Sequence, residues 1–336
     1  RFDMDELSVM GLAEILPKYR ALMARINETA QAVIDTAPDV LITIDSPDFS
    51  LRVARKVKEK SNIRTVHYVA PTVWAWRPGR AEKMARYVDH VLALFPFEPP
   101  YMEAAGMACD FVGHPVVAEP LADDAEAAAF RAEHHLSDAP LLLVLPGSRR
   151  GEVSRLAPVF QQVVARLVEA EPSLRVVVPA ASPVAALVKQ ATRNWAGKPV
   201  VLDPREEEAE AFAARKRAAF RAADVALAAS GTVSLELAAV STPMVIAYDM
   251  SWISRQIIGR MLRVDTVTLV NLVSESRTVP EFIGANCRPG PIAEGVLRVL
   301  RAPGAQKDAM ALTMARLGRG GEAPGLRAAR AVLARL

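Results

Sequence analysis

At 336 residues and 51% hydrophobic content the chain exceeds what one ordinary core serves, and it predicts two globular domains of about 150 residues each. Its 41 Lys and Arg are interspersed with 38 Asp and Glu for a net charge of +3, which excludes the concentrated basic surface that nucleic acid requires. Two cysteines, Cys109 and Cys287, exclude a disulfide framework and a clustered zinc site, aromatic residues at 6% argue against a sugar-binding wall of stacked rings, and no apolar run reaches the roughly 18–20 residues of a membrane span.

In chain order, Met10, Leu12, Ile15, Leu16, Tyr19, Leu22 and Met23 come first, interleaved with Lys18, Arg20 and Arg25. A helix with this pattern packs on its own domain or lies against an anionic membrane, where each basic residue contributes about 1 kcal/mol. From Pro38 onward, strand-like runs at 40–44, 63–69, 88–95 and 109–112 alternate with helical patterns near 50–59 and 79–87, which is repeated β-α-β. An acidic, alanine-rich stretch at 119–135 reads as a surface helix and marks the boundary between domains. Beyond it, strands are predicted at 141–145, 174–178, 200–202, 224–228, 244–247 and 267–269. The best of the helices between them starts near Glu152, with Val153, Leu156, Phe160, Val163, Val164 and Leu167 on one face. A glycine-rich break at 317–325 precedes a terminal helix at 326–336. The order predicts α/β architecture with two Rossmann-like, doubly wound domains facing a cleft, over 1–120 and 121–305, and a helical segment over 306–336. Ligands of such sheets bind beyond the carboxyl ends of the strands.

Two loops at such edges carry the chemistry. Leu145-Pro146-Gly147-Ser148-Arg149-Arg150-Gly151-Glu152 joins an apolar run to a helix start, where free N–H groups and the helix dipole favour a phosphate. It has neither the spacing nor the Lys of a P-loop, which speaks against a kinase or ATPase. Arg149 either pairs bidentately with a diphosphate or is a solvated turn residue. In Ala229-Ser230-Gly231-Thr232-Val233-Ser234-Leu235-Glu236, the residues Ser230, Gly231 and Thr232 present N–H and hydroxyl groups to a phosphate, and Glu236 reaches the sugar hydroxyls of a nucleotide. The alternative is a capped helix start with Glu236 on a solvated face. Asp45, in Ile44-Asp45-Ser46-Pro47-Asp48-Phe49, stands at a strand end that suits a general base, while Asp48 better suits a cap. No His or further carboxylate supports a metal beside this pair, so no metal and no cofactor are predicted. His67, inside an apolar strand, reads as a core residue, and His114 in Gly113-His114-Pro115 is better placed at the edge.

Taken jointly, the chain resembles the lipid-A-disaccharide synthases, bacterial glycosyltransferases of the GT-B type. The segments that carry this are Met4-Asp5-Glu6-Leu7-Ser8-Val9-Met10-Gly11, Ile44 to Phe49, His67-Tyr68-Val69-Ala70-Pro71-Thr72-Val73-Trp74-Ala75-Trp76-Arg77, Phe111-Val112-Gly113-His114-Pro115, the two loops, Pro243-Met244-Val245 and Val270-Asn271-Leu272. The resemblance implies an inverting transfer of 2,3-diacylglucosamine from its UDP derivative to the 6-hydroxyl of 2,3-diacylglucosamine 1-phosphate, giving a β-1,6 disaccharide and UDP. It implies Asp45 as the base, and Arg149 with Gly147 and Ser148 as the holder of the departing UDP. Ser230, Gly231, Thr232 and Glu236 would bind diphosphate and ribose, with Asn271, Glu281 and His114 nearby. It further implies acyl contacts along Met10 to Met23, peripheral attachment to the cytoplasmic face of the inner membrane of a Gram-negative bacterium, and an enzyme compatible with a homodimer. Members of the family open with a strand and a Gly-Glu-x-Ser-Gly-Asp turn that have no counterpart before Met4, so low activity is expected of this chain. Two rivals share features: the UDP-GlcNAc transferase of peptidoglycan precursor synthesis, without the Val-Trp-Ala-Trp-Arg segment in this form, and a non-catalytic UDP-sugar-binding relative. A nicotinamide-dependent dehydrogenase is disfavoured because no Gly-x-Gly-x-x-Gly follows a strand.

Overall fold

The computed structural model describes residues 12–76, 79–136, 139–250 and 264–336, with side chains from residue 19 onward. The chain divides into two compact units, one of residues 1–115 with 320–336 and one of residues 116–319.

The first unit is built on four parallel strands in the order β1 (Val40–Ile44), β2 (Arg64–Tyr68), β3 (His90–Ala93) and β4 (Ala108–Phe111). Helix Pro47–Lys58 starts where Pro47 removes an N–H that would have no partner and pre-sets the helical φ. Its buried residues Ser50, Leu51, Val53, Ala54 and Val57 recur at helical spacing. Leu51 joins Met84, Val91, Ala93 and Met102 in one cluster, while Val53 and Val57 meet Ile26 and Ala30 of helix Leu12–Thr36 in another. Ile42 and Ile44 of β1 remain 46% and 67% exposed, so the sheet keeps an uncovered apolar edge.

The second unit is a six-stranded parallel sheet ordered β10-β9-β8-β5-β6-β7, from β5 (Leu141–Leu145), β6 (Arg175–Pro179), β7 (Val200–Leu202), β8 (Val225–Ala229), β9 (Met244–Tyr248) and β10 (Glu281–Ile283). β5 is central, and Leu141 to Val144 have no exposed surface, as an unbroken apolar run predicts. Helix Arg150–Ala170 lays Val153, Leu156, Phe160, Val163, Val164 and Leu167 on the sheet, each fully buried. From β5 the chain winds outward through β6 and β7, then returns to β8 on the other side of β5. That reversal is a topological switch point, where the loops after two neighbouring strands diverge and leave a crevice.

Three expectations change. The strand expected at 267–269 is absent: Thr268 stands at the N-terminus of helix Leu269–Ser274, and the N–H groups of Val267 and Thr268 donate to the Glu281 carboxylate instead of to a neighbouring strand. The edge strand is β10, Glu281–Ile283, which pairs with β9. The segment expected as separate over 306–336 is shared between the units. Helix Gly304–Arg316 buries Met310 and Met314 in the second, while helix Pro324–Leu333 belongs to the first. There Arg327 donates to the Phe111 carbonyl, and Arg335 bonds bidentately to Asp110, which also holds His90 at 2.8 Å.

Candidate functional site

At the switch point of the second unit, Gly147 turns the chain out of β5 with φ of +113°, a conformation that side chains rarely adopt. A Cβ at this position would lie 2.7 Å from both Cβ and Oε2 of Glu152, so the glycine is fixed by what packs on it. Ser148 and Arg149 follow, and Arg149 is the N-cap of the helix. Glu152, only 9% exposed, accepts from the N–H of Ser148 at 3.1 Å and of Arg149 at 3.3 Å, and from Arg149 Nη1 at 2.9 Å. This is the glutamate half of a capping box, with a guanidinium where the reciprocal acceptor would be.

The neighbouring loop after β8 carries Ser230, Gly231 and Thr232, the last two exposed. Thr232 stands at the start of helix Val233–Ala239 without spending its hydroxyl on a cap, and Gly231 meets nothing within 4 Å of an added Cβ. Ser234 donates to the Gly231 carbonyl at 2.9 Å and holds the turn. Glu236 is half-exposed and paired with Lys216 Nζ at 2.7 Å. The two loops are thus brought together by β5 and β8, which pair directly. Tyr248 ends the next strand, β9, and burial pushes its hydroxyl above the usual range, Glu152 adding to the shift and Arg149 and Arg155 opposing it.

In the first unit, Asp45 follows β1 and Val69 follows β2, and both have positive φ, as does Ser46. Asp45 N donates to the Tyr68 carbonyl and Val69 N to the Leu92 carbonyl, so the pairing runs on through the bend. Left-handed non-glycine residues cost about 1–3 kcal/mol each, and such strain concentrates where function needs it. Asp45 is exposed, and its carboxylate has no hydrogen bond or ion pair among the described residues. His67 is buried as expected, with Thr43 Oγ1 2.8 Å from its Nδ1 and 3.2 Å from the Val66 carbonyl. Burial holds His67 down at about 4, against the Asp45 charge, so the ring is neutral.

His114 follows β4, its ring 5.6 Å from that of Phe95, and burial lowers it to about 4. Phe95 stacks on Phe97, which meets Trp74 edge-on. Beneath them Glu98, 2% exposed, accepts from the N–H groups of Leu94 and Phe95 and from the Trp74 indole. Burial outweighs those three donors and raises Glu98 from 4.5 to about 7. A carboxyl that holds its proton more tightly folded than unfolded stabilises the fold at low pH and withdraws that contribution as pH rises from 4.5 to about 7, by about 3 kcal/mol. His67 and His114 act in the opposite sense, losing stability as pH falls from 6.5 towards 4. The difference in unfolding free energy between wild type and Glu98→Gln is therefore expected to slope across pH 4.5–7 in urea titrations; a flat difference would contradict this account of Glu98.

The remaining expected residues fall elsewhere. Asn271 is 1% exposed and its amide is spent on Thr266 and on both backbone groups of Val279. Glu281 Oε1 is taken up by Thr266, Val267 and Thr268. Both therefore tie the 266–281 segment together, where sequence suggested ligand contacts. Met10 and the side chains of Leu12, Ile15 and Leu16 lie outside the described residues; Tyr19 is 49% exposed, Leu22 partly buried, and Met23 packs on the helix cluster of the first unit. Among the described residues no helix is long and apolar enough to cross a membrane, and no group of three His, Cys, Asp or Glu could hold a metal. Sequence reasoning passed over Glu152 and Tyr248 as site residues. The signal for the first was its place three residues after a helix cap; for the second, its place at a strand's carboxyl end.

The family model described as lipid-A-disaccharide synthetase matches residues 1–322. A lipid-A-disaccharide synthase of Ruegeria pomeroyi is 65% identical over all of this chain and 84% of its own length. One of Rhodospirillum centenum is 44% identical over 99% of this chain and 82% of its own. Among solved structures, the UDP-GlcNAc 2-epimerase of Neisseria meningitidis, bound to UDP-GlcNAc, aligns with a TM-score of 0.64 over 97% of this chain and 83% of that one. At 12% identity it speaks to the fold alone, which is the α/β architecture of GT-B glycosyltransferases. By family model, by identity and by fold, the chain belongs to the lipid-A-disaccharide synthases, which are glycosyltransferases of lipid A biosynthesis.

Proposed function

We propose that the protein transfers 2,3-diacylglucosamine from UDP-2,3-diacylglucosamine to the 6-hydroxyl of 2,3-diacylglucosamine 1-phosphate. The observation that carries this is the pair of loops at the switch point: 230–232 offers N–H groups and hydroxyls to a diphosphate, and 147–149 offers the Ser148 hydroxyl and Arg149. Arg149 neutralises charge that grows on UDP as the glycosidic bond breaks, and Glu236 serves the ribose. Inversion by one direct displacement needs a single base. Asp45, exposed at a strained strand end, takes the proton of the acceptor hydroxyl. His114 belongs to the acceptor side, and the exposed Tyr19 to a face that meets the cytoplasmic surface of the inner membrane.

The test is UDP release from UDP-2,3-diacylglucosamine with and without the acceptor. Acceptor-dependent release with a β-1,6 product supports the reading. Binding of UDP with no release at any acceptor concentration leaves only a nucleotide-binding protein.

A further inference from the structure

The Glu152 carboxylate holds the groups that a diphosphate at this loop would draw on. Its two oxygens take up the N–H of Ser148, the N–H of Arg149 and the Arg149 guanidinium at the start of a helix 21 residues long. We infer that Glu152 is a positioning residue that competes with the nucleotide for Arg149: binding moves the guanidinium from Glu152 to the phosphate oxygens, and UDP departure reverses the exchange. This rests on the reading that loop 147–149 holds the diphosphate.

The two partners are unequally fixed. The Glu152 side chain is 11% exposed and packs against Gly147, whereas that of Arg149 is 59% exposed. Arginine is thus the partner that moves, while the carboxylate and the turn it caps stay. A diphosphate offers more charge and more acceptor oxygens than one carboxylate, so the exchange runs toward the ligand when nucleotide is present. The cap itself needs no charge, because glutamine three residues into a helix supplies the same acceptor oxygen. The negative charge therefore acts on Arg149, giving it a place to return to and easing release of the product, a step that limits many enzymes.

Glu152→Gln in the full chain separates cap from charge. Calorimetry is expected to show UDP binding about two- to fivefold tighter in the variant, and no gain when Arg149→Ala is also present. Unchanged or weaker binding in Glu152→Gln overturns the inference, as does a gain that survives Arg149→Ala. Should Glu152→Gln fail to fold, a crystal structure of the wild-type chain with UDP decides: the Arg149–Glu152 pair is parted if the exchange occurs and intact if it does not. A wild-type chain that fails to bind UDP would instead sink the nucleotide reading, and this inference with it.

Discussion

Asp45→Asn is expected to lower kcat for acceptor-dependent UDP release about a hundred- to ten-thousand-fold, with the Kd for UDP unchanged. Among the described residues, the side-chain hydrogen bonds of the phosphate loops and of Glu236 run to Glu152, Ser234 and Lys216 and none to Asp45, so removing its charge breaks no bond that holds the groups assigned to the nucleotide. Folding should survive, because asparagine matches aspartate in shape and adopts the left-handed conformation required at φ of +46° more readily than most residues. Steady-state kinetics with calorimetry for UDP reads both quantities. A loss below tenfold would remove Asp45 as the base, and an equal loss of UDP binding would make its role structural.

Arg149→Ala should cost about a hundred- to a thousand-fold in kcat/KM, the scale on which losing one donor to a developing anion costs 2.7–4 kcal/mol. The fold should hardly register the change. Its ion pair with Glu152 is exposed on the arginine side, and such pairs contribute about 0–1 kcal/mol. Glu152 also keeps its two backbone donors. Arg149→Lys should recover only part of the rate, since an ammonium carries the charge without the planar fork. Full recovery by lysine would show that the site needs a charge near the phosphates and no particular geometry.

What sequence conveys here depends on how local the cause is. The run at 141–145 reads as a buried strand because both of its faces meet helices, and helix Arg150–Ala170 announces its buried face by spacing alone. The stretch 267–269 reads as a strand on propensity, yet the carboxylate of Glu281, twelve residues and more away, captures its N–H groups and turns it into a helix start. That contact is tertiary, so no window along the chain contains it. The same holds for Asn271: a polar residue in an apolar run looks like a ligand until both faces of its amide are found on Val279. The positions of Asp45 after β1 and of Arg149 after the turn at Gly147 were legible because strand ends and glycine turns are written locally. The strain at Val69 was not, since it arises where the ends of β1, β2 and β3 meet.

The return of helix Pro324–Leu333 to the first sheet bears on the order in which a ribosome can deliver finished parts. The second unit is one uninterrupted stretch, 116–319, and has all its strands once that stretch has emerged. The first unit emerges earlier but needs residues 320–336 before Asp110 gains Arg335 and the Phe111 carbonyl gains Arg327. During synthesis its four strands must therefore wait, with that face of the sheet open to water and to chaperones, while the later unit folds ahead of them.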